Sequence, residues 1–249
     1  TFAPNNPKLD KKTITGSVLL SDYDTGETLA VLDGSYLTKI RTGAISGVAP
    51  KYLARENAKT LCVIGAGDQA EGLIAAILAV RDIEMLHISS RTRAKAEKLA
   101  EFVKQTYHVS TKVFDEADQA MENADIVVTA TNSNKPVYSH SLHPGVHLNA
   151  VGSFKPEMQE LPSETMLIAN KIVVESTEAA MEETGDLKVP LEEGIITERS
   201  LHGELGDIVS GKISGRDDNE EVTVFKSVGL AIVDIVVAQY FYKKAQQTN

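Results

Sequence analysis

A doubly wound parallel α/β sheet is the fold class this sequence predicts, and three observations carry the prediction. From residue 60 onward, short apolar runs without polar alternation are separated by stretches of helical periodicity, the pattern of parallel strands covered by helices on both faces. One of those runs, Leu61-Cys62-Val63-Ile64, leads directly into Gly65-Ala66-Gly67-Asp68-Gln69-Ala70, a glycine-rich turn that opens a helix. The 249 residues, 42% of them hydrophobic, suffice to enclose such a sheet and are too few for three domains.

The elements follow in order. The first eleven residues, rich in Pro, Asn and Lys, read as a connecting segment. Residues 14–22 and 28–33 read as strands of a hairpin, because Asp22-Tyr23-Asp24-Thr25-Gly26-Glu27 between them is turn chemistry with a glycine available for positive φ. Over residues 35–54, Leu37, Ile40, Ala44, Ile45, Val48 and Tyr52 recur at three- and four-residue intervals, which predicts an amphipathic helix capped by Asp33 or Ser35. Strands are expected at 60–64, 85–89, 111–114 and 124–128, with helices at 69–80 and 94–105. Further strands are expected at 147–151 and 171–174. After a Gly- and charge-rich stretch over 203–221, residues 228–242 predict a closing helix with Val228, Ile232, Ile235, Val236 and Gln239 on one side.

Composition excludes whole classes of function. Lys and Arg number 25 against 35 Asp and Glu, and the resulting net charge of −10 repels nucleic-acid phosphates and anionic lipid. No window approaches the apolar length of a membrane span, and the N-terminus has no signal-peptide pattern. The single cysteine, Cys62, cannot form an intrachain disulfide, so a reducing, cytoplasmic setting is expected.

The turn after Ile64 has the form G-x-G-x-x-A in the strand–turn–helix context of a Rossmann-type dinucleotide site. Gly65 permits the tight turn, Gly67 lets backbone approach a pyrophosphate, and Ala70 lets helix and strand pack closely. Asp68 and Gln69 lie between them, where free N–H groups and the helix dipole would face phosphate. NAD usually requires an acidic residue at the end of the second strand. This chain instead reads Ser89-Ser90-Arg91-Thr92-Arg93, which offers Ser90, Arg91 and Thr92 to a 2′-phosphate, so NADP(H) is preferred with NAD(H) as the alternative. The alternative for Arg91 and Arg93 is a solvated first turn of the next helix. Thr129-Ala130-Thr131-Asn132 follows the fourth strand, where the nicotinamide half would lie, though an ordinary polar loop reads the same way.

Arg41, four residues from both Leu37 and Ile45, projects near the apolar face of its helix and needs an anion there. A substrate carboxylate or an internal Asp or Glu would serve. Other signals fail. Gly206-Asp207-Ile208-Val209-Ser210-Gly211-Lys212 imitates a P-loop, yet Ile213 stands where Mg²⁺ needs a hydroxyl. His140, His143 and His147 have no zinc spacing, so no metal is expected. No G-x-S-x-G elbow is present. Lys226, next to Phe225, could be a polar contact, with a snorkelling helix-start lysine the favoured reading.

Thr38-Lys39-Ile40-Arg41-Thr42-Gly43-Ala44, the turn over residues 63–70, Asn149-Ala150-Val151-Gly152-Ser153 and Val224-Phe225-Lys226-Ser227-Val228-Gly229 together resemble the ornithine cyclodeaminase/mu-crystallin family in order and spacing across almost the whole chain. The resemblance implies a Rossmann-type doubly wound parallel sheet plus part of a second α+β domain for substrate binding and dimerisation. It assigns residues 1–45 to that second domain, 46–225 to the dinucleotide-binding domain, and 226–249 to a helix returning to the first. It implies a homodimer acting on a small imino or amino acid. It makes Arg41 the substrate-carboxylate residue and counts Thr42, Val151, Ser227 and Val228 among cofactor-contacting positions, beside Thr129, Ala130 and Thr131 from the reading of the loop above.

Two departures shape the expected activity. A chain starting at Thr1 reads as trimmed, and the resemblance places a further arginine and a lysine, the implied proton donor, in a segment preceding it. In ornithine cyclodeaminases the position matching Phe154 is an aspartate that binds the side-chain amine and activates water, and phenylalanine can do neither. The form Gly152-Ser153-Phe154-Lys155-Pro156-Glu157-Met158-Gln159-Glu160 is similar to that of members reducing cyclic imines, against whose flat ring an aromatic side chain would pack. The expectation is therefore an NAD(P)H-dependent reductase of small cyclic α-imino acids. Ornithine cyclodeaminase, an alanine-type amino-acid dehydrogenase and a non-catalytic NADP-binding protein are the alternatives.

Overall fold

The structure, a computed structural model, describes residues 6–9, 15–139 and 142–248. Most of the expected connector over 1–11, the first residue of the expected strand at 14–22, and His140 lie outside the described residues; Asn6–Leu9 forms a single 3₁₀ turn. Two compact units emerge: unit 1 comprises Thr1–Thr42 and Leu230–Asn249, and unit 2 comprises Gly43–Gly229.

In unit 1, β1 (Ser17–Ser21) and β2 (Thr28–Asp33) form the antiparallel hairpin. Its turn is held by Asp22, whose carboxylate accepts the N–H groups of Asp24 at 3.1 Å and Thr25 at 2.9 Å, with Gly26 at φ 73°. Asp33 then caps α1 (Gly34–Leu53), accepting the N–H groups of Ser35 at 2.8 Å and Tyr36 at 3.1 Å.

Unit 2 is built on an eight-stranded, wholly parallel sheet. Its first half runs β3 (Thr60–Ile64), α2 (Ala70–Leu78), β4 (Met85–Ser89), α3 (Arg93–Tyr107), β5 (Ser110–Phe114), α4 (Ala117–Met121) and β6 (Ile126–Thr129). Next come β7 (His147–Ala150), α5 (Ser163–Ile168), β8 (Lys171–Val174), α6 (Thr177–Glu183) and α7 (Gly185–Glu192). The last part is β9 (Leu201–Glu204), α8 (Leu205–Val209) and β10 (Thr223–Lys226). The strand order is β5-β4-β3-β6-β7-β10-β8-β9. The chain winds outward from β3 to β5 and then restarts on the other side at β6, which puts the topological switch between β3 and β6.

Successive strand residues point to opposite faces, and both faces are covered. Leu61 and Val63 pack with Leu73, Ile74, Ile77 and Ile88, while Cys62 and Ile64 pack with Val127, Leu148, Ala150 and Val224. That is why these strands lack polar alternation.

Three sequence expectations need correction. First, the expected stripe is only part of the buried surface of α1: Ile45, Val48 and Tyr52 are half-buried against a core cluster of Ala49, Leu53, Val173 and Phe225, Ala44 is exposed, and Gly43, Ser46 and Gly47 are buried as well. A Cβ on Gly43 would run into the backbone of Gly72, and one on Gly47 into Ala76, so α1 meets α2 through small residues at close approach. Second, Thr223–Lys226, taken for a motif just ahead of the last helix, forms β10 inside the sheet between β7 and β8. Third, the last helix, α9 (Ala231–Thr248), starts three residues later than expected. It falls in unit 1 with the hairpin. On this chain Ile232, Ile235, Val236 and Tyr240 of α9 are more than half exposed, with Leu19 and Val31 of the hairpin.

Candidate functional site

The carboxyl ends of β3 and β6 diverge at the switch, and the glycine turn sits there. Gly65 has φ +109°, donates its N–H to the Ser89 carbonyl at 2.8 Å, and has no room for a side chain because a Cβ would strike the Ala130 carbonyl and crowd Thr131. Gly67 and Asp68 are exposed, and nothing lies within 4 Å of where a Gly67 Cβ would be. Ala70 is fully buried against the sheet. Gln69 stands at the N-cap of α2 without making a side-chain cap, and its Oε1 is buried with no hydrogen-bond partner. An uncapped helix start behind an open, side-chain-free approach fits the pyrophosphate of a dinucleotide.

At the end of β4, Ser89 is buried, Ser90 is half-buried, and Arg91 and Thr92 are exposed. Thr92 is the N-cap residue of α3 but makes no side-chain cap. Arg93 pairs with Glu97 at 2.9 Å and with Asp115, so it serves the start of α3. Of the two arginines considered for a 2′-phosphate, Arg91 is the one the structure leaves exposed and uncommitted among the described residues.

Where β6, β7 and β10 end, the structure brings together three charged side chains that sequence reasoning did not join. The Glu160 carboxylate, wholly buried, accepts the Thr129 hydroxyl at 3.0 Å and the N–H groups of Thr131 at 2.6 Å, Gly152 at 2.8 Å and Ser153 at 3.2 Å. Oδ1 of Asp186 accepts the N–H groups of Glu160 at 2.6 Å and Leu161 at 2.9 Å, while Oδ2 lies 3.0 Å from Nζ of Lys226. Lys226 is fully buried at the end of β10, not a snorkelling helix-start lysine, because a strand covered on both faces leaves its ammonium no route to water. Burial pushes the Glu160 carboxyl up, Lys226 opposes that push and Asp186 adds to it. The donors on it, three of them main-chain N–H groups, favour the ionised form and so oppose that push. A lysine flanked by Phe225 and Ser227 and an acid inside Gln159-Glu160-Leu161 were the available signals, and neither names its partner.

Other expected contact residues sit around these strand ends. Val151 is half-buried and donates to the Thr129 carbonyl at 3.0 Å; Ser227 is buried and donates to that of Ala150 at 3.0 Å; Val228 and Ala130 are half-buried. The Thr129 hydroxyl is spent on Glu160. Phe154 is 48% exposed. Cys62 is buried on β3 and its thiol is pushed up by burial, which leaves it inert. His143 bonds the Ala124 carbonyl at 2.8 Å, and among the described residues no group of three or more His, Cys, Asp or Glu is arranged to hold a metal.

Arg41 and Thr42 belong to unit 1, half-buried on α1. Arg41 Nε lies 3.3 Å from Oδ1 of Asp234 on α9, yet makes no hydrogen bond with it. An internal carboxylate is therefore next to Arg41, on the Nε side of the guanidinium, and no other polar partner is present among the described residues.

With this geometry in hand, the comparisons with known proteins are specific. A model described as "Ornithine cyclodeaminase/mu-crystallin family" matches residues 1–249. The chain belongs to this family. A family member from Bacillus cereus, named Delta(1)-pyrroline-2-carboxylate reductase, is 57% identical over 245 residues, 98% of this chain and 75% of that protein. The structure of Thermococcus litoralis Delta(1)-pyrroline-2-carboxylate reductase in complex with NADH and L-proline superposes with a TM-score of 0.95 at 40% identity, covering 99% of this chain and 76% of that one. An archaeal alanine dehydrogenase, a dimer with bound NAD, superposes with a TM-score of 0.92 at 35% identity over 100% of this chain and 76% of that one. The Rossmann-type parallel fold is thus shared by family members that bind a nicotinamide cofactor.

Proposed function

We propose that this chain is an NAD(P)H-dependent reductase of small cyclic α-imino acids of the Δ1-pyrroline-2-carboxylate type. The observation that carries the reading is the uncapped glycine turn at the β3/β6 switch, in a chain 57% identical to a reductase of that name. The likeness to a structure holding NADH and L-proline supports it, since proline is what reduction of that imine yields. A reduced nicotinamide, when bound, supplies the hydride.

The residues of this chain bind and orient. Gly65 makes the tight turn with its own N–H spent on Ser89, and Gly67, Asp68, Gln69 and the start of α2 would hold the pyrophosphate by main-chain N–H groups. Arg41 holds the substrate carboxylate with the nitrogens that Asp234 leaves over, and Asp234 fixes the Nε side of the fork. Phe154 stands where a cyclodeaminase would place its aspartate, so this chain offers no base there for ammonia loss.

Two finer readings belong with this one. NADP(H) is preferred, supported by the absence of an acidic residue over 89–93 and by exposed Arg91. The assembly is a homodimer through unit 1, supported by the exposed apolar residues of β1, β2 and α9 and by the dimeric alanine dehydrogenase neighbour. The test is loss of reduced-nicotinamide absorbance with Δ1-pyrroline-2-carboxylate, using NADPH and NADH in parallel. Turnover is expected, with the higher kcat/KM for NADPH, and Arg41→Lys should raise the imine KM by about tenfold or more because an ammonium cannot reproduce a bidentate fork. Proline formed from ornithine without turnover of the imine would reverse the assignment.

A further inference from the structure

The buried Glu160–Asp186–Lys226 cluster has no part in the chemistry above, and its position asks for a reason. Buried ion clusters stabilise little compared with apolar packing of the same volume, so such a cluster is a weak device for stability alone. This one ties together the carboxyl ends of three adjacent strands. Glu160 receives two donors from the end of β6 and the residues after it (Thr129, Thr131) and two from the loop after β7 (Gly152, Ser153). Its own main chain is pinned by Asp186, whose second oxygen faces Lys226 at the end of β10. Val137, further along the connection after β6, donates to the Glu160 carbonyl at 2.8 Å. The loops approach so closely that a Cβ on Gly152 would run into Thr131 and the Glu160 carboxylate.

We propose that Glu160 is a positioning residue of the cofactor site: through the buried Thr129, Gly152 and Ser153 it holds the β6 and β7 exits in fixed register, and with them Ala130, Thr131 and Val151, the groups read as meeting the nicotinamide half. This rests on the dinucleotide reading of the preceding section. Glu160 touches neither substrate nor cofactor; it acts through the loops. The glycine turn, where the pyrophosphate and adenosine are held, makes no hydrogen bond to it among the described residues, so the two halves of the cofactor should respond differently when Glu160 changes.

Glu160→Gln is the informative change. A glutamine keeps the volume, but its NH₂ group must face N–H donors that the carboxylate accepted, leaving buried donors without an acceptor. Binding is measured by calorimetry for two probes, NADH and ADP-ribose, the second lacking the nicotinamide. In E160Q the NADH Kd should rise by about tenfold or more, while the ADP-ribose Kd moves less than about twofold. Glu160→Asp keeps the charge but draws it back from its donors, and should give the same split at smaller size. A protein that merely loses stability would not separate the two probes.

If NADH binding in both variants matches the parent, or if both probes weaken in proportion, the proposal is overturned. It is likewise overturned if neither variant folds, which would make Glu160 a requirement of the sheet itself. Failure of the parent protein to bind either probe would instead overturn the dinucleotide reading, a different result from any of these.

Discussion

His147 shows at the scale of one residue how the fold sets a protonation state. It opens β7, fully buried, with Nδ1 against the Thr223 hydroxyl at 2.9 Å and Nε2 against the Asn149 side chain at 2.8 Å. Asn149 in turn donates to the Ser46 carbonyl of α1 at 2.7 Å. Burial is the main reason that its pKa is lowered from 6.5 to about 3, with the Arg216 and Arg81 charges pushing the same way and the hydrogen bonds opposing them. Below pH 6.5 the unfolded chain takes up a proton that the folded chain refuses, so stability is full above that pH and falls as the pH drops toward 3. Between pH 6.5 and 4 the loss should be about 3 kcal/mol, and His147→Gln should remove most of that slope, read from urea midpoints at several pH values. If the parent and the variant lose stability equally over that range, His147 does not carry the slope. The sequence named this histidine only as a rejected metal ligand. Its partners are Asn149 and Thr223, with Ser46 behind Asn149, and no local spacing could have joined 46 and 223 to it. Arg41 was legible as a cation needing an anion, but Asp234 was not legible as its neighbour for the same reason.

Elements with a local cause were readable. The hairpin follows from its Asp22 turn, β3 and β4 match the expected bounds, and the glycine turn sits where its strand–helix context put it. Elements whose cause is tertiary were not. β10 is four residues ending in a lysine, and it is a strand because β7 and β8 flank it and Asp186 meets its charge. The apolar stripe of α1 was legible, since Ile45, Val48 and Tyr52 pack on a core cluster, but a periodicity count dominated by large residues missed the second contact, where Gly43 and Gly47, spaced one turn apart, approach α2. That contact can be weighed. Replacing glycine by alanine inside a helix gains about 1 kcal/mol from propensity, whereas forcing a methyl into a packed contact costs about 1–3 kcal/mol. At Gly43 the methyl would meet immovable backbone, so Gly43→Ala should destabilise the protein, and Gly43→Ala with Gly47→Ala should do so further. A rise in the urea midpoint of either variant would show that α1 and α2 have room between them.

Across the whole molecule, the alternation of apolar runs and helical stretches made the fold class legible from the sequence, whereas the strand order, with its switch at β3/β6 and β10 between β7 and β8, was not. Unit 1 poses a different problem. A two-stranded hairpin is marginal by itself, and here it keeps Leu19 and Val31 exposed while α9 of the same unit exposes Ile232, Ile235, Val236 and Tyr240. Apolar side chains gathered in one small unit of a protein carrying a net charge of −10 need cover, and a second copy of the same unit is the cover that closes on itself. Equilibrium sedimentation of the parent should therefore give twice the 26.9 kDa mass of the chain, and Ile235→Glu should halve it by setting a charge among the exposed apolar residues of α9. Because Ile235 lies in unit 1, NADH and ADP-ribose should bind the variant as they bind the parent if cofactor recognition is complete within unit 2. A parent sedimenting as a monomer would overturn the dimer, and a variant that stays dimeric would move the interface away from α9.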